Sequence, residues 1–342
     1  MVQVEVLHTV KPPNDRTNPF VELHVTNLPE SVHSHWFSWK HALFGRYDVI
    51  HFQWPENLLR ASNAGKRLAK RAAFGAMLLR LRARRTPIVV TIHNLAPHEG
   101  PSRFERWALR DLHRRASSLV ALNDTERLSG FGAAPVMVIA HGDYRQRYRK
   151  RDVRVAVPGR VVFFGSIRAY KNVPALIDAA AAVDGASVVI AGKPWNAEVG
   201  AEIERSAAGH DLVRLELREL GDDELVDEIS RAELVALPYT TLYNSGAIFL
   251  ALTLGVPVLA PSTASTRQIQ QEVGEAWVLL YEDRLSSADV ESALSVARRL
   301  REQGAPGPNL SQRNWVDLGR KYGSLYESLA RRRARAKTDG RP

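Results

Sequence analysis

Along the chain, short runs that are apolar throughout alternate with longer stretches in which apolar residues recur every three or four positions. The short runs fit strands buried on both faces, and the longer stretches fit helices that cover them. In the first half the strand-like runs are Val2–Thr9, Val49–Phe52, Ile88–His93, Ser118–Leu122 and Val136–Ala140. Helical periodicity falls on Pro19–Leu28, Ser62–Arg84 and Arg103–Ala116. A basic, proline-bearing stretch, Tyr144–Gly159, matches neither period and reads as a linker. A second alternation follows it, with strands Val161–Phe164, Ser187–Ala191, Val213–Leu217, Leu234–Leu237, Pro257–Ala260 and Ala276–Leu280. Helices near Val173–Val183, Glu198–Ala208, Asp222–Arg231, Gly246–Leu254 and Ala288–Glu302 separate them, and Gln312–Arg333 reads as one long terminal helix. Strand–helix alternation of this kind predicts an α/β protein with two doubly wound parallel sheets. Ligands bind such sheets at the carboxyl ends of the strands, so the loops after the strands are where chemistry is expected.

The length of 342 residues fits two domains, here 1–143 and 160–311 around a 144–159 linker, with 312–342 as a helix and basic tail. A hydrophobic fraction of 45% with 25% charged residues excludes a disordered or fibrous chain. The absence of cysteine excludes disulfides, thiolate metal sites and a cysteine nucleophile. Apolar runs are far shorter than the roughly 20 residues needed to span a bilayer, and the N-terminus lacks a basic n-region, so the expectation is a cytoplasmic protein. Charge adds one feature. Forty-seven Lys and Arg against 37 Asp and Glu give +10, and nine of the cations lie between Arg60 and Arg85 with no acid among them. Lys66, Arg67, Lys70 and Arg71 interleave there with Leu68, Phe74, Met77 and Leu81 at amphipathic spacing. One reading is a solvated helix face. The other is attraction to anionic lipid headgroups, at about 1 kcal/mol per basic residue. No helix-turn-helix pattern, zinc-finger spacing or RNP-like strand accompanies the charge, so nucleic acid is not expected as a partner.

Two segments carry candidate chemistry. In Val161–Val173 a buried strand ends at Gly165, and Ser166, Arg168 and Lys171 follow before a helix opens. Glycine permits close backbone approach, the helix start presents free N–H groups, and two cations match a diphosphate. The alternative is an ordinary turn with exposed basic residues. In Glu233–Pro261 a strand ends at Pro238, and a loop with Tyr239, Tyr243, Asn244 and Ser245 leads into a helix at Gly246. Asn244 or Ser245 is expected to cap that helix, with free amides towards a ligand or simply towards solvent.

The order of these segments resembles the GT-B glycosyltransferases, and the C-terminal half is similar to the large bacterial group that uses nucleotide-diphosphate sugars. The resemblance implies two Rossmann-like domains facing across a cleft, with Gly165, Arg168 and Lys171 holding the donor diphosphate. Ala191-Gly192-Lys193-Pro194 resembles the next turn of that domain, and Phe249–Val258 matches its helix followed by Gly-x-Pro-Val. The likeness is specific over 161–261 and architectural in the first half. It implies no cofactor and no bound metal, with the nucleotide sugar as co-substrate and the terminal helix crossing back onto the first domain. One departure stands out: the family's two glutamates, eight apart, align with Leu242 and Leu250. Neither leucine can hydrogen-bond a sugar, so Tyr239, Tyr243, Asn244, Ser245 and Gly246 are expected to handle the donor, and the anomeric outcome stays open.

In the first half, His93 and Asn94 follow the strand Ile88–Ile92, where the resemblance places a residue pair that faces the donor sugar. Removal of the acceptor proton calls for a carboxylate or imidazole. Asp15 is the candidate, with Glu99 and Asp143 as rivals; stabilising a turn is the other role open to Asp15. Trp36, Trp39 and Trp54 offer rings for sugar stacking or for the core. The histidines His33, His35, His51 and His141 match no compact ligand spacing, so no metal site is expected. The expected function is transfer of a hexose, with mannose from GDP-mannose as the specific choice, to a lipid-linked glycan acceptor in polysaccharide or glycolipid synthesis. The enzyme is expected to lie peripherally on the inner face of the membrane. A GT-B subunit that binds a nucleotide sugar or glycan without transfer is the alternative.

Overall fold

The alternation becomes two parallel sheets in the computed structural model, which describes residues 3–13, 18–94, 100–124, 131–148 and 155–338. The chain divides into two units, one of Met1–Gly142 with Arg313–Pro342 and one of Asp143–Gln312. Among the described residues, the first unit holds a six-stranded sheet of β1 (Val4–His8), β2 (Val32–Trp36), β3 (Val49–Phe52), β4 (Ile88–Ile92), β5 (Ser118–Ala121) and β6 (Val136–Val138), in the order β2-β1-β3-β4-β5-β6. The second unit holds β7 (Arg160–Phe164), β8 (Ser187–Ala191), β9 (Val213–Glu216), β10 (Leu234–Ala236), β11 (Val258–Pro261) and β12 (Val278–Tyr281), in the order β12-β11-β10-β7-β8-β9. All the recorded pairings are parallel.

The strand order reverses between β1 and β3 in the first sheet and between β7 and β10 in the second. Such reversals splay the connecting helices to opposite faces and open a crevice beyond the strand ends. β3, β4 and β5 are buried at every position, which is why their sequences read as unbroken apolar runs.

The sequence reading misses the short helix Trp39–Phe44 and two further elements. β2, with the sequence VHSHW, is an edge strand carrying histidines, so its apolar signal is weak. The helix Ala264–Val273 buries only Ile269 and Val273 among its larger apolar residues, and the Thr263 cap sets its start. Within the expected linker, Arg145–Tyr148 forms a short helical turn with Tyr148 buried.

The long helix Trp315–Thr338 belongs to the first unit and buries Trp315, Tyr322 and Tyr326. Tyr326 joins a buried polar cluster, its hydroxyl lying 3.1 Å from His24 Nε2 and 2.6 Å from His51 Nδ1. His51 Nε2 lies 2.8 Å from Thr91 Oγ1, and His8 Nε2 lies 3.2 Å from Ser34 Oγ. Burial holds all three imidazoles neutral: it pushes His8 down to about 3 and keeps His24 and His51 well below the ordinary histidine range.

Candidate functional site

At the β7–β10 switch point, three loops converge. Gly165 takes a positive φ of 97° after β7, and its N–H bonds Ala191 O at 2.9 Å. Gly192 follows β8 opposite it; a Cβ there would sit 2.0 Å from Gly165 O, so only glycine lets the two backbones meet. Further on, Ile167 N donates to Lys193 O and Trp195 N to Ile167 O, both at 2.9 Å, so this pair of loops continues the sheet's pairing outward. The third loop is tied in by Thr240, whose N–H and hydroxyl both donate to Tyr170 O, at 2.9 and 3.1 Å.

The two cations differ. The Arg168 guanidinium lies 4.0 Å above the Trp195 ring, half-buried. Lys171 closes a single 3₁₀ turn, Ala169–Lys171, and its Nζ lies 5.2 Å from the Tyr239 ring centre and 5.6 Å from that of Phe163. The ammonium hangs over the bare backbone of Gly165, within 3.8 Å of where a Cβ would be. Among the described residues no carboxylate pairs with it. Desolvation, the largest cause, therefore pulls its pKa below the usual lysine value, and neighbouring Arg168 adds to this. A desolvated ammonium at a strand-end switch point is a candidate anion site.

Ser166 and Lys193 are exposed at the mouth of a cavity of about 470 Å³, lined also by Gly165, Gly192, Trp195 and Arg218. That volume lies within the range of small-molecule sites. Tyr239 and Ser245 are buried, while Tyr243, Asn244 and Gly246 are half-buried. The expectation of a side-chain cap on the helix Gly246–Thr253 is corrected. Ser245 occupies the N-cap position, but its side chain makes no capping bond. The amides at that helix start are left for other acceptors. Leu242 and Leu250 are both buried, so the positions of the family's glutamates have become core.

In the first unit, His93 follows β4 and is buried. Its Nε2 lies 2.5 Å from Gln53 Oε1, and its ring stacks on Trp54 at 3.8 Å and 16°. Gln53 Oε1 can only accept, so His93 Nε2 carries the ring proton and Nδ1 keeps its lone pair. The Gln53 amide faces His51 Nε2 at 3.4 Å, which ties His93 to the buried cluster. Burial, reinforced by His141, keeps His93 well below the ordinary histidine pKa, so it is neutral at pH 7. Asp143 is buried and engaged by Arg145, through Nε at 2.7 Å and the backbone N–H at 3.0 Å. Asp15 and Glu99 lie outside the described residues. Sequence reading missed Gln53 and Trp195, although both directly follow or flank strand ends, the positions where such sheets place their chemistry.

The basic helix spans Ala64–Ala83 and is capped by Asn63. Phe74, Met77, Leu78 and Leu81 face the core. The opposite face exposes Leu68 (71%) and Leu79 (69%), with Ala72, Ala76 and Ala83 aligned between and beyond them. Of the four cations expected on this surface, Lys66 is exposed and Arg67 half-buried. Lys70 turns inward to donate to Arg60 O at 2.7 Å, and Arg71 donates to Ser102 Oγ at 3.2 Å while lying over Phe104. Arg82, Arg84 and Arg85 are exposed at the other end. Among the described residues no helix is long and apolar enough to cross a membrane.

No family model matches the chain. It is 36% identical over 337 residues to the GDP-mannose:glycolipid 4-beta-D-mannosyltransferase of Xanthomonas campestris pv. campestris, a match covering 96% of this chain and 94% of that protein. Among solved structures it resembles the sucrose-phosphate synthase of Thermosynechococcus elongatus (TM-score 0.64, 15% identity, 96% of this chain and 99% of the other). It also resembles a glycosyltransferase of Rickettsia africae (0.62, 11%, 96% and 98%) and Anabaena HepE in complex with UDP and glucose (0.57, 16%, 98% and 100%). At these identities the structures speak for the fold.

Proposed function

The chain belongs to the family of the Xanthomonas GDP-mannose:glycolipid 4-beta-D-mannosyltransferases and is a glycosyltransferase of the GT-B fold, and from that premise we propose that it moves mannose from GDP-mannose to a hydroxyl of a lipid-linked glycan. The observation that carries the donor assignment is the desolvated ammonium of Lys171 over Gly165, with no carboxylate paired to it among the described residues. In this reading Arg168 and Lys171 hold the diphosphate, joined by Ser166 and the backbone at Gly165. The cavity bounded by Lys193 and Trp195 takes the nucleoside. Tyr239, Tyr243, Asn244, Ser245 and the free amide of Gly246 meet the sugar and the phosphate next to it.

The reaction breaks the bond between mannose C1 and the β-phosphate oxygen, whose electron pair leaves with GDP. The acceptor oxygen bonds C1, and its proton passes to a base on the first unit, for which Asp15 and the His93 Nδ1 lone pair are the candidates. Nucleotide mannose carries an α-linked diphosphate, so a β-product like that named for the relative requires a single inverting displacement. The buried Leu242 and Leu250 agree with this, since they offer no carboxylate on the donor side. Transfer on this scheme uses no bound metal, because the two cations meet the leaving charge.

A thermal-shift series tests the donor. GDP and GDP-mannose raise Tm by several degrees at hundredfold excess over Kd, UDP and ADP do not, and EDTA leaves the GDP shift unchanged. Release of GDP in the presence of a lipid-linked acceptor distinguishes an enzyme from a binder; a GDP shift without release supports the non-transferring alternative.

The acceptor's lipid places the enzyme at an anionic surface on the cytoplasmic face, with the exposed stripe Leu68–Leu79 as the contact. Apolar side chains flanked by exposed cations favour the bilayer interface, and the helix packs on the core through its other side, so the stripe is surplus to folding. Replacing Leu68 and Leu79 with Ser, together with Lys66→Gln and Arg82→Gln, is expected to cut sedimentation with phosphatidylglycerol vesicles at least tenfold at unchanged Tm. Lys70→Gln and Arg71→Gln act instead through the fold and lower Tm. Undiminished sedimentation of the first variant reduces the stripe to a solvated face.

A further inference from the structure

Two histidine clusters appear once the chain is folded, and they differ in the chemistry they permit. His8, His24 and His51 place ligand atoms within 4.8 Å of one another, but all three are buried, and no carboxylate belongs to the group. Each ring there is already engaged, His8 with Ser34, His24 with Tyr326 and His51 with both Tyr326 and Thr91. Glu5, His33 and His35 form the second group, also within 4.8 Å, at the β1–β2 edge. Parallel pairing sets Glu5 opposite His33, and the strand period of two returns His35 to the same face. His33 is exposed and Glu5 and His35 half-buried, so an ion has an entry path and a compensating charge. His35 Nε2 already lies 2.5 Å from Glu5 Oε2, and the His33 and His35 rings stand 4.8 Å apart. A fourth imidazole, His41 from the helix Trp39–Phe44, packs 4.5 Å from the His35 ring. Its Nε2 is buried with no hydrogen-bond partner among the described residues.

We propose that Glu5, His33 and His35, with His41 as the fourth ligand, form a Zn²⁺-class metal site on the edge of the first sheet. Three imidazoles and one carboxylate are a tetrahedral zinc donor set, whose ligand atoms stand about 3.3 Å apart at ordinary Zn–N lengths. Glu5, His33 and His35 already hold ligand atoms within 4.8 Å of one another, and His41, outside that group, completes the set by turning its ring away from Gly45. Glu5 and His33 are the second residues of β1 and β2, His35 is the last but one of β2, and the site lies on the sheet's β2 edge rather than at the β7–β10 switch point. Its effect is to clamp edge strand β2 to β1 and to the helix that follows β2, and it asks nothing of the transfer reaction.

The experiment uses the full chain stripped with EDTA and titrated with Co²⁺ and then Zn²⁺. The expected result is one equivalent of Co²⁺ with the intense visible absorption of tetrahedral nitrogen–oxygen coordination, displaced by Zn²⁺, and a Tm raised by several degrees in excess Zn²⁺. Glu5→Gln and His35→Asn each weaken Zn²⁺ binding at least tenfold. His33→Asn does the same at an exposed position where folding is not at stake, and far-ultraviolet circular dichroism checks that it folds. Zn²⁺ binding and a Tm shift that persist undiminished in the His33→Asn variant, or that are missing in the wild-type chain, overturn the site.

Discussion

Replacing Lys171 with Met lowers kcat/KM for GDP-mannose about a thousandfold, roughly 4 kcal/mol of transition-state stabilisation, while Tm stays level or rises. The two halves of this result share one cause. The ammonium is desolvated against Phe163 and Tyr239 with no carboxylate among the described residues, so in the free protein it costs stability. A departing diphosphate supplies the missing anion, and the charge then acts where negative charge grows most. Methionine keeps the alkyl volume and removes only the charge. The pH dependence runs in opposite directions for the two properties. Because the folded pKa is depressed, the unfolded chain retains this proton after the folded chain has lost it. Stability therefore rises with pH between the folded pKa and 10.5, the value in the unfolded chain, while donor affinity falls through the folded pKa. Steady-state kinetics and Tm of Lys171→Met, with GDP affinity measured from pH 7 to 10, check this. Wild-type kinetics with a lowered Tm make Lys171 a structural residue.

Replacing His93 with Ala is expected to reduce kcat by a hundredfold or more and to change GDP affinity only severalfold, in line with the loss of a proton acceptor. Gln53 fixes the tautomer, so the lone pair on Nδ1 is permanently available. Burial keeps the ring neutral well below pH 6.5, and wild-type turnover should not fall between pH 7.5 and 6 through this residue. Gln53→Leu releases the ring and lowers kcat without touching the acceptor, whereas Asp15→Asn reports on the rival base. Loss of turnover in Asp15→Asn alone, with His93→Ala near wild type, assigns the proton to Asp15.

The strand–helix alternation, the strand-end glycine with its two cations and the loop before Gly246 were legible because each depends on residues close in sequence. Buried strands must be apolar, and a loop that cradles phosphate must offer small residues, cations and a helix start. The same local logic misplaces the helix cap: Asn244 and Ser245 both read as capping residues, but Ser245, which takes the N-cap position, makes no side-chain capping bond. It could not say which cations of the Ala64–Ala83 helix face solvent, because Lys70 and Arg71 are drawn to partners on other elements.

The sequence by itself determined that this is a two-sheet α/β protein with a glycine-ended turn carrying two cations after β7, since hydrophobic period and turn chemistry are written over spans of a dozen residues. Only the tertiary structure decided that Lys171 is desolvated with no paired carboxylate among the described residues, that Gln53 orients His93, and that Glu5 meets His33 and His35. Each of those depends on parallel strands or packed loops that bring distant residues together, and the burial that sets their charge states arises only when the sheet is covered.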